Sequence, residues 1–184
     1  QHNAVFSGLR FRGPENASKS CTRRCIVSSG TYRVEVENCE IWNYGYMAIN
    51  LTSRSIAWND DSNTGRHWIH HCYIHNSQVH GFGYGVAVQQ TAALIECNIF
   101  ENNRHHIMGQ RATSGQPATN YEARYNKFYA AKYFIGGVAY YNHQVDCHGG
   151  NDTKSNNDGP LTSGSVANCA GGTIKIHHNT FYEN

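Results

Sequence analysis

The apolar positions of this chain fall into short alternating runs that begin again after stretches of variable length. In each run an apolar residue is followed three positions later by Asn, Cys or His, and two positions after that mostly by Ile or Phe. The runs are Val36-x-x-Cys39-x-Ile41, Ile69-x-x-Cys72-x-Ile74, Ile95-x-x-Asn98-x-Phe100, Ala123-x-x-Asn126-x-Phe128, Val145-x-x-His148-x-Gly150 and Ile176-x-x-Asn179-x-Phe181. Their first residues lie 33, 26, 28, 22 and 31 positions apart. Side chains that change faces at every residue belong to strands, and helical repeat arrays hold their unit length, so the irregular spacing points away from ankyrin-like or tetratricopeptide arrays. Short strands joined by connections of uneven length predict a coil in which each turn is one rung. The expected fold is all-β, a right-handed parallel β-helix (solenoid) of about six to seven rungs with long corner loops. Residues 1–33 are read as an N-terminal cap and first strand region and residues 34–184 as the repeats of a single domain.

Stacking at about 4.8 Å per rung would turn equivalent positions into columns. Val36, Ile69, Ile95, Ala123, Val145 and Ile176 form an inward aliphatic column in this register, and Asn98, Asn126 and Asn179 form a corner ladder in which Cys39 and Cys72 replace Asn lower down. Asn side chains stacked in register can hydrogen-bond from rung to rung. Period-two alternation then aims two columns outward on the same strand. One is Glu37, His70, Glu96, Arg124, Asp146 and His177; the other is Glu35, Trp68, Leu94, Glu122, Gln144 and Lys175.

Composition agrees with turn-rich β structure. Charged residues make up only 15% of the chain, against a typical quarter, while Gly, Tyr and His are plentiful. A formal charge of +2 and no basic run longer than Arg23-Arg24 leave nothing to grip nucleic acid, and no apolar stretch is long enough to span a bilayer. Seven cysteines without a C-x₂-C pair read as disulfides rather than zinc ligands. The sequons Asn16-Ala-Ser18, Asn50-Leu-Thr52 and Asn151-Asp-Thr153 point to a secreted or cell-surface glycoprotein.

Over residues 34–184 the repeat resembles the pectate-lyase-like right-handed parallel β-helix proteins. The strings Asn103-Arg104-His105-His106-Ile107, Tyr121-Glu122-Ala123-Arg124-Tyr125-Asn126, Val145-Asp146-Cys147-His148-Gly149-Gly150 and Ile176-His177-His178-Asn179-Thr180-Phe181 resemble segments of microbial surface β-helix proteins related to disaggregatase. That resemblance implies action on a cell-surface heteropolysaccharide.

Three irregular segments, near residues 52–66, 109–120 and 149–172, each end just before a repeat strand and should wall one side of the ionisable strip. Within that groove the candidate catalytic residues are Glu122, Arg124, Asp146 and His148, with Arg104 and His105 nearby, and Trp68, His70, Glu96 and His177 are candidates for holding substrate. In a lyase, a His or Arg removes the proton α to a uronate carboxylate while a cation stabilises the enolate. In a glycoside hydrolase, Glu122 and Asp146 act as the carboxylate pair. The structural alternative is a solvated face of stacked opposite charges.

His67, His70, His71 and His75 lie close in sequence, but alternating strand faces keep them from one ion, so no metal site is expected. Calcium would need clustered carboxylates, for which Asp60-Asp61 and Asp152 with Asp158 are loop candidates. Two functions compete: an extracellular protein that binds or cleaves polysaccharide, and a non-catalytic surface, adhesive or filament-forming coil. Only Tyr182-Glu183-Asn184 follow the last repeat, too few to cover a rung, so the C-terminal rung is expected to be covered by another chain or by further sequence, with self-association through it in the filament case.

Overall fold

The computed structural model describes residues 3–14, 23–30, 33–52, 65–79, 82–110, 119–129, 132–135, 138–141, 143–147 and 172–182. The first rung is β1 (Asn3–Ser7), β2 (Arg10–Arg12) and β3 (Arg24–Ser29). The second is β4 (Arg33–Glu37), β5 (Glu40–Trp42) and β6 (Met47–Thr52). The third is β7 (His67–His70), β8 (Tyr73–His75) and β9 (Tyr84–Gln89), and the fourth β10 (Ala92–Glu96), β11 (Ile99–Glu101) and β12 (His105–Gln110). The fifth has β13 (Asn120–Arg124) and β14 (Lys127–Tyr129), then an antiparallel hairpin of β15 (Lys132–Ile135) and β16 (Val138–Tyr141), then β17 (His143–Cys147). The last described strands are β18 (Ile174–His177) and β19 (Thr180–Tyr182).

Equivalent strands pair in parallel from rung to rung. They build sheet A (β1-β4-β7-β10-β13-β18), sheet B (β2-β5-β8-β11-β14-β19) and sheet C (β3-β6-β9-β12-β17). The result is a β-helix-like solenoid. No helix among the described residues is long and apolar enough to cross a membrane.

Each sheet sends one apolar column inward. In sheet A, Phe6, Val36, Ile69, Ile95, Ala123 and Ile176 are in register, so the expected column holds and extends one rung below its expected start. Sheet B contributes Phe11, Ile41, Ile74, Phe100, Phe128 and Phe181, and sheet C contributes Ile26, Ile49, Val86, Ile107 and Val145. From Val36 to Ala123 and from Ile41 to Phe128 the sheet A and sheet B columns are fully buried, and each Ile, Val or Phe so placed contributes about 1.5–3 kcal/mol. On the last described rung, Ile176 and Phe181 remain 44% and 50% exposed.

Val145 corrects the expected register. It pairs with Ile107 in sheet C, not with Ala123, and takes Gln144 and Asp146 with it. The cause is the β15–β16 hairpin, which lengthens the fifth turn, so the sheet A strand after Ala123 is the one at Ile176.

The corners explain the Asn ladder. Asn98 Nδ2 donates to the Ile69 carbonyl at 2.9 Å, while Asn98 Oδ1 accepts the Cys72 backbone N–H at 2.9 Å. Asn126 repeats this with the Ile95 carbonyl and the Asn98 N–H, and Asn179 with the Ala123 carbonyl and the Asn126 N–H. Each amide thus satisfies backbone groups that the turn between sheets A and B would otherwise strand inside the coil. The residue before each ladder position is left-handed: Asn38, His71, Cys97, Tyr125 and His178 have φ between 50° and 57°. A second ladder residue, Asn103, does the same at the corner between sheets B and C, bonding the Ile74 carbonyl and the Ser77 N–H.

Two further expectations change. Cys25, Cys39, Cys72 and Cys97 are free thiols, so the disulfide reading fails for these four. Cys39 and Cys72 occupy ladder positions as small buried groups, and burial pushes the Cys72 thiol up to about 12. Cys21 and Cys169 lie outside the described residues, as do the sequon residues Asn16 and Asn151. Asn50 sits in β6 at 5% exposure with its Oδ1 3.3 Å from Thr52 Oγ1, which leaves its amide no room for a glycan.

Candidate functional site

The outward side of sheet A carries the two expected columns in the expected register. Glu37, His70, Glu96, Arg124 and His177 pair in one, and Glu35, Trp68, Leu94, Glu122 and Lys175 in the other. Their side chains bond across rungs into a continuous strip. Trp68 Nε1 donates to Glu96 Oε1 at 2.8 Å, and Arg124 Nε donates to Glu96 Oε2 at 2.7 Å. Arg124 Nη1 also donates to Glu122 Oε1 at 3.1 Å, and His177 Nε2 lies 3.0 Å from the same oxygen. The other Glu122 oxygen accepts from Arg66 Nη1 at 2.9 Å, and both of these side chains are buried.

This wiring sets the chemistry of Glu122. Burial raises its pKa, but the hydrogen bonds from Arg66 and His177 and the nearby Arg124 charge outweigh burial and hold the carboxyl below the ordinary range. Glu122 is therefore an anion at neutral pH. That suits a fixed acceptor and not a general acid.

Lower on the same face, His70 Nε2 sits 3.4 Å from Glu35 and 3.8 Å from Glu37, with its Nδ1 2.9 Å from His71 Nδ1. Trp68 stacks on His70 with centroids 3.8 Å apart, and the Arg33 guanidinium lies 5.8 Å from the Trp68 centroid. Trp68, a candidate for holding substrate, is thus half-buried and already partnered. The neighbouring histidines scatter: His67 Nδ1 accepts the Val34 N–H, and His75 lies on sheet B against Glu40 and Tyr73.

The remaining catalytic candidates lie on sheet C. Asp146 Oδ2 is 2.6 Å from His105 Nδ1 and 3.8 Å from His143 Nδ1, and the two rings are 4.6 Å apart. Tyr84 meets His105 edge to face at 5.0 Å, and Arg104 acts on both. Burial lowers the pKa of His105, opposed by the hydrogen bond to Asp146, while the Arg104 charge adds to the fall. Glu122 and Asp146 therefore belong to different sheets and do not form the expected carboxylate pair. His148 lies outside the described residues.

The sequence reading missed Arg66, Tyr84 and His143. Arg66 precedes β7 and so fell in a segment read as loop. His143 and Asp146 are three apart and would face opposite ways on a regular strand. In β12, however, both His106 and Ile107 turn inward: His106 is fully buried against Phe100 and Phe128, and Ile107 belongs to the core. His105 is thereby returned to the side that faces Asp146, and β17 follows β12 in register.

The long segments near residues 52–66, 109–120 and 149–172 all connect sheet C to sheet A, and most of each lies outside the described residues. Comparison with family models, curated proteins and solved structures finds no match.

Proposed function

We propose that the protein is a secreted, right-handed parallel β-helix of the pectate-lyase-like kind that binds polysaccharide along the outer face of sheet A. The connection rule supports that hand: crossovers between parallel strands of one sheet are right-handed in about 98% of cases. The observation that carries the binding reading is the strip Trp68–Glu96–Arg124–Glu122–His177, in which fixed donors and acceptors repeat at the rung spacing. A polymer laid along the coil axis would meet the same kind of polar group rung after rung, with no reorganisation of side chains on binding. At its upper end the strip is bordered by exposed Lys175, His178 and Tyr125, which favours a polysaccharide bearing carboxylates or sulfates. The paired, ionised state of Glu122 supports binding over acid-assisted hydrolysis.

The test is a panel of uronate-containing, sulfated and neutral polysaccharides, followed by affinity electrophoresis, ultraviolet absorbance and reducing-end release. Retarded migration on acidic polymers without new reducing ends or unsaturated products supports the proposal. Cleavage would replace it with an enzyme, and no retardation on any polymer would overturn it.

A second reading, a self-associating surface coil, is favoured by the apolar surface of the last described rung, where Ile176, Phe181 and Tyr182 are 44%, 50% and 38% exposed. Analytical ultracentrifugation over a range of concentrations tests it, with a concentration-independent monomer as the contrary result.

A further inference from the structure

We infer that His105, His143 and Asp146 form a binding site for a divalent transition-metal ion, with Zn²⁺ the best fit. The inference is independent of the polysaccharide reading, since it concerns a different sheet. The three side chains each offer one ligand atom, and these atoms lie within 4.8 Å of one another. Two separations are 2.6 and 3.8 Å, from Asp146 Oδ2 to the Nδ1 atoms of His105 and His143. An ion at about 2.0–2.2 Å from each donor needs donors roughly 3.0–3.6 Å apart, so small side-chain shifts complete the coordination.

The backbone supplies the convergence. His105 and His143 are register partners on neighbouring parallel strands, and the double inward turn at His106 and Ile107 returns His105 to the side that Asp146 faces. Two imidazoles and one carboxylate form a donor set that suits a borderline ion such as Zn²⁺, and calcium and magnesium, which want oxygen, poorly. The Arg104 charge acts on His105, so general electrostatic attraction for a cation is weak, and affinity has to come from directed bonds to nitrogen. His143 is 61% exposed at its side chain, so the fourth position of the ion opens to water or to a ligand oxygen. An ion held here clips β17, the outer strand of sheet C, to β12 immediately after the β15–β16 hairpin has interrupted the coil.

A second grouping, Glu35, Glu37 and His70, also brings ligand atoms within 4.8 Å. There Arg33 lies 3.4 Å from Glu35 and only one nitrogen ligand is offered, which makes Glu37 the natural control position.

The experiment uses the full chain stripped with a chelator, then titrated with Zn²⁺ by calorimetry and with Co²⁺ by visible absorption. Expected are one ion per chain, a dissociation constant in the micromolar range or tighter, and a rise of several degrees in melting temperature with Zn²⁺. His143→Ala and Asp146→Asn should each weaken binding at least tenfold, whereas Glu37→Gln should leave it within twofold. Because His143 is exposed, His143→Ala keeps the fold, and its melting temperature without metal verifies this. Absence of saturable binding by the parent chain overturns the inference, as does a His143→Ala affinity within threefold of the parent.

Discussion

The outward faces of sheets A and C are built from the same kind of strand and end up with opposite characters. Sheet A alternates strictly, so its charged residues stand in two straight columns and neutralise one another along the face: Glu96 with Arg124 on the next rung, Arg124 with Glu122 on its own strand, Glu122 with Arg66 two rungs away. Sheet C breaks alternation at His106 and Ile107, and its outward residues Met47, Tyr84, Ala87 and Met108 form a small apolar cluster of their own, with His105 and Asp146 set beside it. Regular alternation keeps all of these partners on one face. A local break gathers residues that the period would keep on opposite faces.

The largest way to break the comparison is to remove what both faces share. Ile95 is fully buried in the core column, and Ile95→Asp places an unpaired charge there at a cost of several kcal/mol, comparable to the total stability of a domain. Loss of the folded state should be visible by circular dichroism. Arg66→Met acts on sheet A alone: it removes the Arg66–Glu122 bond while Arg124 and His177 stay, and should cost about 1.5–3 kcal/mol in denaturant unfolding. Asn126→Ala orphans the Ile95 carbonyl and the Asn98 N–H and should cost about 1–3 kcal/mol by the same measurement. Arg10→Ala, on sheet B, removes an ion pair whose Arg side chain is 72% exposed and should cost less than about 1 kcal/mol.

Acid should expose both faces in sequence. His67, at the start of a sheet A strand, is pushed down to about 4 by burial, aided by Arg33, and His106 of sheet C is pushed down to about 4 by burial. Between the unfolded histidine value of about 6.5 and the folded value, the unfolded chain binds more protons, so stability falls as pH drops through that window. Glu122 has the depressed carboxylate pattern: its contribution is present above its unfolded pKa and is lost as pH falls through the lower folded value. Unfolding free energies measured between pH 7 and pH 3 should decline in two stages, and Glu122→Gln should flatten the more acidic one.

Much of this was legible in the sequence. Five consecutive strands of sheet A, the corner ladder and both ionisable columns follow from one short pattern, because a solenoid repeats the same environment at every rung and Asn98 and Asn126 answer the same orphaned backbone groups. The first rung escaped the pattern because Leu9 stands at its ladder position. Val145 was misplaced because its local string imitates the repeat while the hairpin before it delays the return to sheet A. The His105–His143–Asp146 cluster was invisible because a break in alternation leaves no periodic trace. Cysteine spacing misled for a related reason: in a coil, a buried Cys can fill a ladder position as a small weak donor, as Cys39 and Cys72 do toward the Phe6 and Val36 carbonyls.

The central claim is that sheet A is the polysaccharide-binding face. Its most direct test compares Arg124→Gln and the sheet B control Arg10→Gln, on whichever acidic polysaccharide retards the parent chain, with melting curves confirming that both remain folded. The account predicts at least a tenfold loss of affinity for Arg124→Gln and less than a twofold change for Arg10→Gln. Equal affinities for the two variants would contradict it.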